Sequence, residues 1–191
     1  QLYTGRLKAA KASYEKACAH AAAARDSHLL GQILVGRIGA LFVMGDARSG
    51  SVLVPKARRL LELHGDTDYL RRLYVNIGSG YYHRERYREA YDANLRAIRL
   101  MEGAGRRDHV WAALMLNHGI ACTQVSRIEE ARDSFARAEE YGAAHGLELL
   151  VAQAQLNLGA MEALRGDYRQ AFRLLAGAET VLSRMGAHDL V

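Results

Sequence analysis

Asn157-Leu158-Gly159, then Gly166-Asp167, then Tyr168-Arg169-Gln170-Ala171-Phe172-Arg173-Leu174-Leu175-Ala176-Gly177-Ala178 is the stretch that decides the fold. One repeat upstream the same order returns as Asn117-His118-Gly119, Ser126-Arg127, Ile128, Ala131, Phe135 and Ala138. A further step back gives Asn76-Ile77-Gly78, Arg84-Glu85-Arg86, Tyr87, Ala90, Asn94 and Ala97. Aligned on Ala17, Ala57, Ala97, Ala138 and Ala178, the copies are separated by 40, 40, 41 and 40 residues. Such a fixed period marks a repeat architecture.

Each column has a physical reason. Residues 0, 3, 7 and 10 positions apart return to one face of a helix with about 3.6 residues per turn. Two columns are small: the anchor alanines, and Ala10, Gly50, Ala90, Ala131 and Ala171 seven residues before them. They allow a neighbouring helix to approach closely. Two other columns are mostly large: Tyr14, Val54, Asn94, Phe135 and Leu175, and Leu7, Ala47, Tyr87, Ile128 and Tyr168. They are expected to fill the space between helices. This is the second helix of a hairpin. The Asn-x-Gly triplets mark the first, and a glycine held there at a cost of about 1 kcal/mol predicts a second backbone packed against it. Gly65-Asp66, Gly105 to Asp108, Gly146 and Gly186 end one repeat and cap the next.

Composition agrees. Half the residues are hydrophobic and there is one proline, which excludes disorder and favours uninterrupted helix. Pro55 falls inside the second helix of its repeat; that helix is predicted to be shortened, bent, or begun late with Pro55 in its first turn. No apolar run reaches the roughly 20 residues of a membrane span. Cys18 and Cys122 form no CxxC pair, so free thiols in a reducing cytoplasm are expected.

The columns resemble the tetratricopeptide repeat, whose pattern is Asn-Leu-Gly in helix A and Tyr-x-x-Ala-x-x-x-Phe-x-x-Ala in helix B. The resemblance implies an all-α fold, an α-α superhelix or solenoid of antiparallel hairpins. It lays out the chain as a partial repeat at 1–26, full repeats at 27–66, 67–106, 107–146 and 147–186, and the start of another helix at 187–191 near His188. The repeat at 27–66 departs most, with Gly36-Arg37-Ile38 in place of the triplet. A chain opening at Gln1 and cut within a hairpin at both ends is expected to be part of a longer protein. The stretch from Gly146-Leu147 to Gly186-Ala187-His188 is similar to bacterial arrays that precede a caspase-like CHAT peptidase domain.

The resemblance implies a concave groove lined by helix A. There Asn76, Asn117 and Asn157 would pair with the backbone of an extended peptide, an amide being both donor and acceptor. The other reading is that each amide bonds a neighbouring helix and braces the array. The remaining groove positions are Gln32, Val35, Gly39, Phe42 and Val43; Arg72, Val75, Ser79, Tyr82 and His83; Ala113, Leu116, Ile120, Thr123 and Gln124; Gln153, Leu156, Ala160, Ala163 and Leu164. They form a polar, arginine- and aromatic-bearing centre and a C-terminal end that is apolar apart from Gln153. The paired Lys/Asn/Arg set of a chaperone-tail clamp is missing.

No enzyme is expected. No catalytic constellation, cofactor motif or phosphate loop occurs; Gly45-Asp46-Ala47-Arg48-Ser49-Gly50 lacks the required lysine. None of the eight histidines stands at metal-ligand spacing; His118 and Cys122 read as core residues. The expected partner is another protein or a neighbouring domain of the same chain, with oligomeric state open. Residues 1–110 carry 19 Lys/Arg against 11 Asp/Glu and residues 111–191 carry 7 against 10. Most of these charges sit beside opposite ones at helical spacing, which argues against nucleic acid. Two other readings stay open: a regulatory segment of a CHAT-type peptidase, and part of a bacterial transcriptional regulator.

Overall fold

Every connection between helices turns on one backbone residue with positive φ. These are Arg25, Gly45, Gly65, Glu85, Gly105, Ser126, Gly146 and Gly166, and Gly186 takes the same conformation after the last described helix, so the left-handed residue recurs every 20 positions and once after 21. It reverses the chain by closing the last turn of one helix before the next begins. In five connections an aspartate then caps the following helix. Asp26, Asp46, Asp66 and Asp167 accept from the backbone N–H three residues on, and Asp108 from those of Val110 and Trp111.

The computed structural model describes the backbone of residues 2–186 and the side chains of residues 9–186. Among them are nine helices: α1 (Leu2–Ala23), α2 (Ser27–Val43), α3 (Ala47–Leu63), α4 (Thr67–Tyr82), α5 (Tyr87–Gly103), α6 (His109–Gln124), α7 (Ile128–Ala144), α8 (Glu148–Arg165) and α9 (Tyr168–Arg184). No strand occurs among the described residues. No described helix is long and apolar enough to cross a membrane. The helix expected at 187–191 and the side chain of Leu7 lie outside the described residues.

The chain forms two compact units, residues 1–100 and 101–191. In the first, α2 packs on α1, α3 and α4, around the wholly buried Ile38, Leu41, Leu61 and Leu73. In the second, α6 packs on α7 and α8, and α8 on α7 and α9, around Met115, Phe135 and Cys122. Connections of two to five residues between helices of such length make each hairpin antiparallel.

The anchor alanines 57, 97, 138 and 178 are all fully buried, as the close-approach reading requires. Three expectations need correction. The triplet glycines do not chiefly meet a backbone. A Cβ on Gly78, Gly119 or Gly159 would lie 2.2 Å from Asn94 Oδ1, 2.5 Å from the Phe135 ring and 2.8 Å from Leu175 Cγ. The large column of helix B therefore seats on the bare helix A of its own hairpin. The column ten residues before the anchors is less interior than expected, with Ile128 44% and Tyr168 73% exposed. Both are the first residue of their helix, beside the turn. Finally, α3 is neither shortened nor begun late: Pro55 stands mid-way in a 17-residue helix. The Asp46 cap sets its start, and burial of Gly50, Ala57 and Leu61 holds it across the missing hydrogen bond.

Candidate partner-binding site

In the first unit a cleft of about 410 Å³ opens among Tyr14 of α1, Leu29, Gln32, Ile33, Val35 and Gly36 of α2, and Tyr69, Arg72 and Asn76 of α4. Residues three and four apart share a helix face. Leu29, Gln32, Ile33 and Gly36 therefore form one stripe, and Tyr69, Arg72 and Asn76 another. Gln32 is fixed by donating to Asp66 Oδ2 at 2.9 Å, and His28 approaches the same oxygen at 2.7 Å. Burial pushes the Asp66 carboxyl up, but bonds from Gln32, the Tyr69 N–H and His28 outweigh it and hold the group below the usual carboxylate range. The Arg72 guanidinium lies over the Tyr69 ring, 4.9 Å from its centroid, a cation–π arrangement that leaves its charge available. Asn76 Nδ2 donates to the Val35 carbonyl at 3.4 Å. Gly39 makes room for that amide, since a Cβ there would stand 2.8 Å from Nδ2.

In the second unit a cleft of about 430 Å³ is lined by His109 and Ala113 of α6, the α7–α8 turn, Leu149, Leu150 and Gln153 of α8, and Met185. By the repeat register Ala113 and Gln153 correspond to Arg72. The two clefts overlap at the Arg72 column and at Tyr69 and Leu150 three residues before it; the first sets Gln32, Arg72 and Asn76 among apolar and aromatic walls, and the second sets His109, Glu148 and Gln153 among apolar ones.

The expected groove residues divide accordingly. Gln32, Val35, Arg72 and Asn76 come together in the first cleft, and Ala113 and Gln153 line the second. The others line neither. Asn117 is exposed, while Asn157 donates to the Gln153 carbonyl of its own helix at 2.7 Å. Ser79 and Gln124 are exposed, Ile120 half-buried. Tyr82 and His83 stack edge to face near the end of α4. Leu116 is buried, and Leu156 packs on a cluster of Ala152, Ala178 and Leu182. Sequence reasoning did not include Tyr14, Leu29 or Tyr69. Leu29 and Tyr69 lie three residues before Gln32 and Arg72, and extending the face by one turn would have found them.

A second grouping was not expected. His118, Cys122 and Glu130 bring their ligating atoms within 4.8 Å of one another. Burial pushes the imidazole down to about 4 and the thiol up to about 12.

No family model matches the chain, and no curated protein matches it. Solved structures do. A putative kinesin light chain of nearly identical TPR-like repeats from Podosopora anserina superposes with a TM-score of 0.75 at 13% identity, over 97% of this chain and 91% of that one. BtubC from P. vanneervenii gives 0.74 at 19% identity, over 93% and 74%. A signal-transduction ATPase with a tetratricopeptide repeat sensor from Pyrococcus horikoshii gives 0.75 at 15%, over 85% of this chain but 25% of that one. This chain is all-α and has the fold of a tetratricopeptide-like helical repeat. It spans about a quarter of that ATPase.

Proposed function

We propose that this chain is a protein-interaction module that takes up an extended polypeptide segment on the face of its first helices. The observation carrying this reading is that a cleft opens beside the Arg72 column of the first helices in each unit. In the first unit the Asn76 and Gln32 amides offer pairing to a peptide backbone and Arg72 to an acidic side chain; in the second unit, taken by itself, Leu149 and Leu150 offer contact to an apolar one. Pocket walls of mixed apolar and polar character suit a peptide better than a metabolite. The chain supplies no cofactor and no catalytic residue in this reading.

The test is selection of binders from a random peptide display on the purified chain, followed by affinity measurement on variants. Arg72→Ala and Asn76→Ala are each expected to weaken the selected peptide about tenfold or more, a loss of about 1.4 kcal/mol, with unchanged helicity by circular dichroism. Selected peptides whose affinity ignores these substitutions would place binding elsewhere.

A second reading is favoured by the similarity to an ATPase whose repeats are a sensor within a longer chain. Here the array is a regulatory segment attached to an effector, of which a CHAT-type peptidase and a transcriptional regulator are the two candidates. Reading the gene to either side of residues 1–191 decides it: an effector domain in the same frame supports this reading, and further repeats up to both stop signals remove it.

A further inference from the structure

Three ligating side chains of different kinds meet between α6 and α7. His118 and Cys122 are one turn apart on α6 and so share a face, with Nε2 and Sγ 3.5 Å apart. Glu130, in the first turn of α7, brings its carboxylate to the same place, all three ligating atoms lying within 4.8 Å. A zinc ion with a Zn–S distance of about 2.3 Å and a Zn–N distance of about 2.0 Å holds those two ligands about 3.5 Å apart at the tetrahedral angle. The geometry needs little change to admit one.

The repeat does not require these residues. At the same positions the neighbouring hairpins carry Ile77, Tyr81 and Glu89, and Leu158, Glu162 and Gln170. Among the described residues, the α6–α7 hairpin alone places imidazole, thiol and carboxylate together. Buried charge is costly unless balanced. A divalent cation with one thiolate, one carboxylate and one neutral imidazole sums to zero. Arg127, paired with Glu130, and Arg137 act against a positive charge on His118, so both anionic ligands are needed. The route in is open, since His118 and Cys122 are buried but the Glu130 side chain is 42% exposed.

We infer that the α6–α7 hairpin is a zinc site, formed by Cys122 Sγ, a His118 imidazole nitrogen and the Glu130 carboxylate, with water as fourth ligand. On binding, the Cys122 S–H bond breaks, its electron pair goes to the metal and its proton to solvent. The imidazole donates a lone pair, and nothing is oxidised or reduced. A thiol gives up its proton on ligating zinc, so uptake releases about one proton per ion.

The test is titration of the reduced 191-residue chain with Co²⁺ as spectroscopic probe, then displacement by Zn²⁺. One equivalent of Co²⁺ is expected to give a thiolate-to-cobalt charge-transfer band with tetrahedral d–d bands, bleached by Zn²⁺ with release of about one proton. Cys122→Ser abolishes the band, Cys18→Ser leaves it, and His118→Leu and Glu130→Gln each weaken Zn²⁺ about tenfold or more. Leu is the residue that α8 carries at this position, so His118→Leu keeps the fold, as circular dichroism checks. A wild-type chain without the thiolate band, a band that survives Cys122→Ser, or an unchanged Zn²⁺ affinity in His118→Leu overturns the inference and leaves the pair as a buried S–H···N hydrogen bond.

Discussion

Gly119 shows what one missing side chain accomplishes. Phe135 is fully buried, and its ring occupies the space a Cβ at 119 would need, 2.5 Å away. Gly119→Ala is expected to destabilise the chain by about 1–2 kcal/mol, the overpacking cost exceeding the gain in helix propensity. Gly103, with nothing within 4 Å of the same hypothetical atom, is the control. Gly103→Ala should stabilise by about 0.5–1 kcal/mol, and chemical denaturation of the two variants checks the opposite signs. His118 supplies a pH signature. Its imidazole is held at about 4 against an ordinary 6.5 by burial, so between those values the unfolded chain binds a proton that the folded chain refuses. Stability is therefore complete above pH 6.5 and falls as pH drops toward 4, by up to about 3 kcal/mol. His118→Leu should flatten that part of a stability–pH curve measured by urea unfolding. At this scale the sequence told that residue 119 must be glycine but not what pressed on it. The period identifies equivalent positions, whereas the partner atom depends on a side-chain rotamer across the hairpin.

Helix boundaries were more readable than side-chain contacts, because caps and turns are local. Gly65-Asp66 and Gly166-Asp167 announce a stop and a start in two residues, and the helices obey them. Pro55 neither shortens α3 nor delays its start, because the local rule is outweighed by packing. Propensity counts about 3 kcal/mol against proline in a helix interior, yet the buried face of α3 retains 17 helical residues around it. That cost should be recoverable. Pro55 is exposed, and Pro55→Ala restores a donor to the Ser51 carbonyl, so a gain of about 1–3 kcal/mol is expected, read as a rise in the denaturation midpoint. The first-helix face was recognised from its polar column, but its clefts were not. A cleft depends on what the adjoining helix leaves uncovered, such as the space beside Gly36 that the Tyr14 ring borders. His118 and Cys122, one helical turn apart, read as core residues from the sequence. Glu130 joins only once α7 folds back on α6, so no spacing rule along one helix would find the trio.

For the molecule as a whole, the helix contacts within each unit run between successive helices or to the next helix but one. Sequence separation in such a pattern stays short however long the array becomes, and low contact order goes with rapid folding. Refolding from urea, followed by stopped-flow fluorescence of Trp111, is expected to complete its main phase within about milliseconds. A main phase lasting seconds would indicate long-range structure that neither unit contains. The fold class was legible at this scale because every copy of the repeat casts a vote, and one deviant such as Gly36-Arg37-Ile38 cannot outweigh four columns. Function was legible only as a class, since the repeat specifies the scaffold while its surface positions are free to vary.

The one interval of 21 among intervals of 20 has an evolutionary meaning. Gly105 is followed by Arg106, Arg107 and then the capping Asp108, whereas Gly65 meets its cap at once. Since α4 and α6 are both 16 residues long, with two more residues before α6 and one fewer after it, the supernumerary residue was accommodated outside the helices. Had it entered α6, every later side chain would have swung by about 100° around the axis, carrying Cys122 to the half-buried place of Thr123 and Thr123 to the exposed place of Gln124. Length variation among kin of this chain should therefore collect at the connections, and a lone glycine added after Arg106 should leave the melting profile nearly untouched while the same addition after Met115 collapses it.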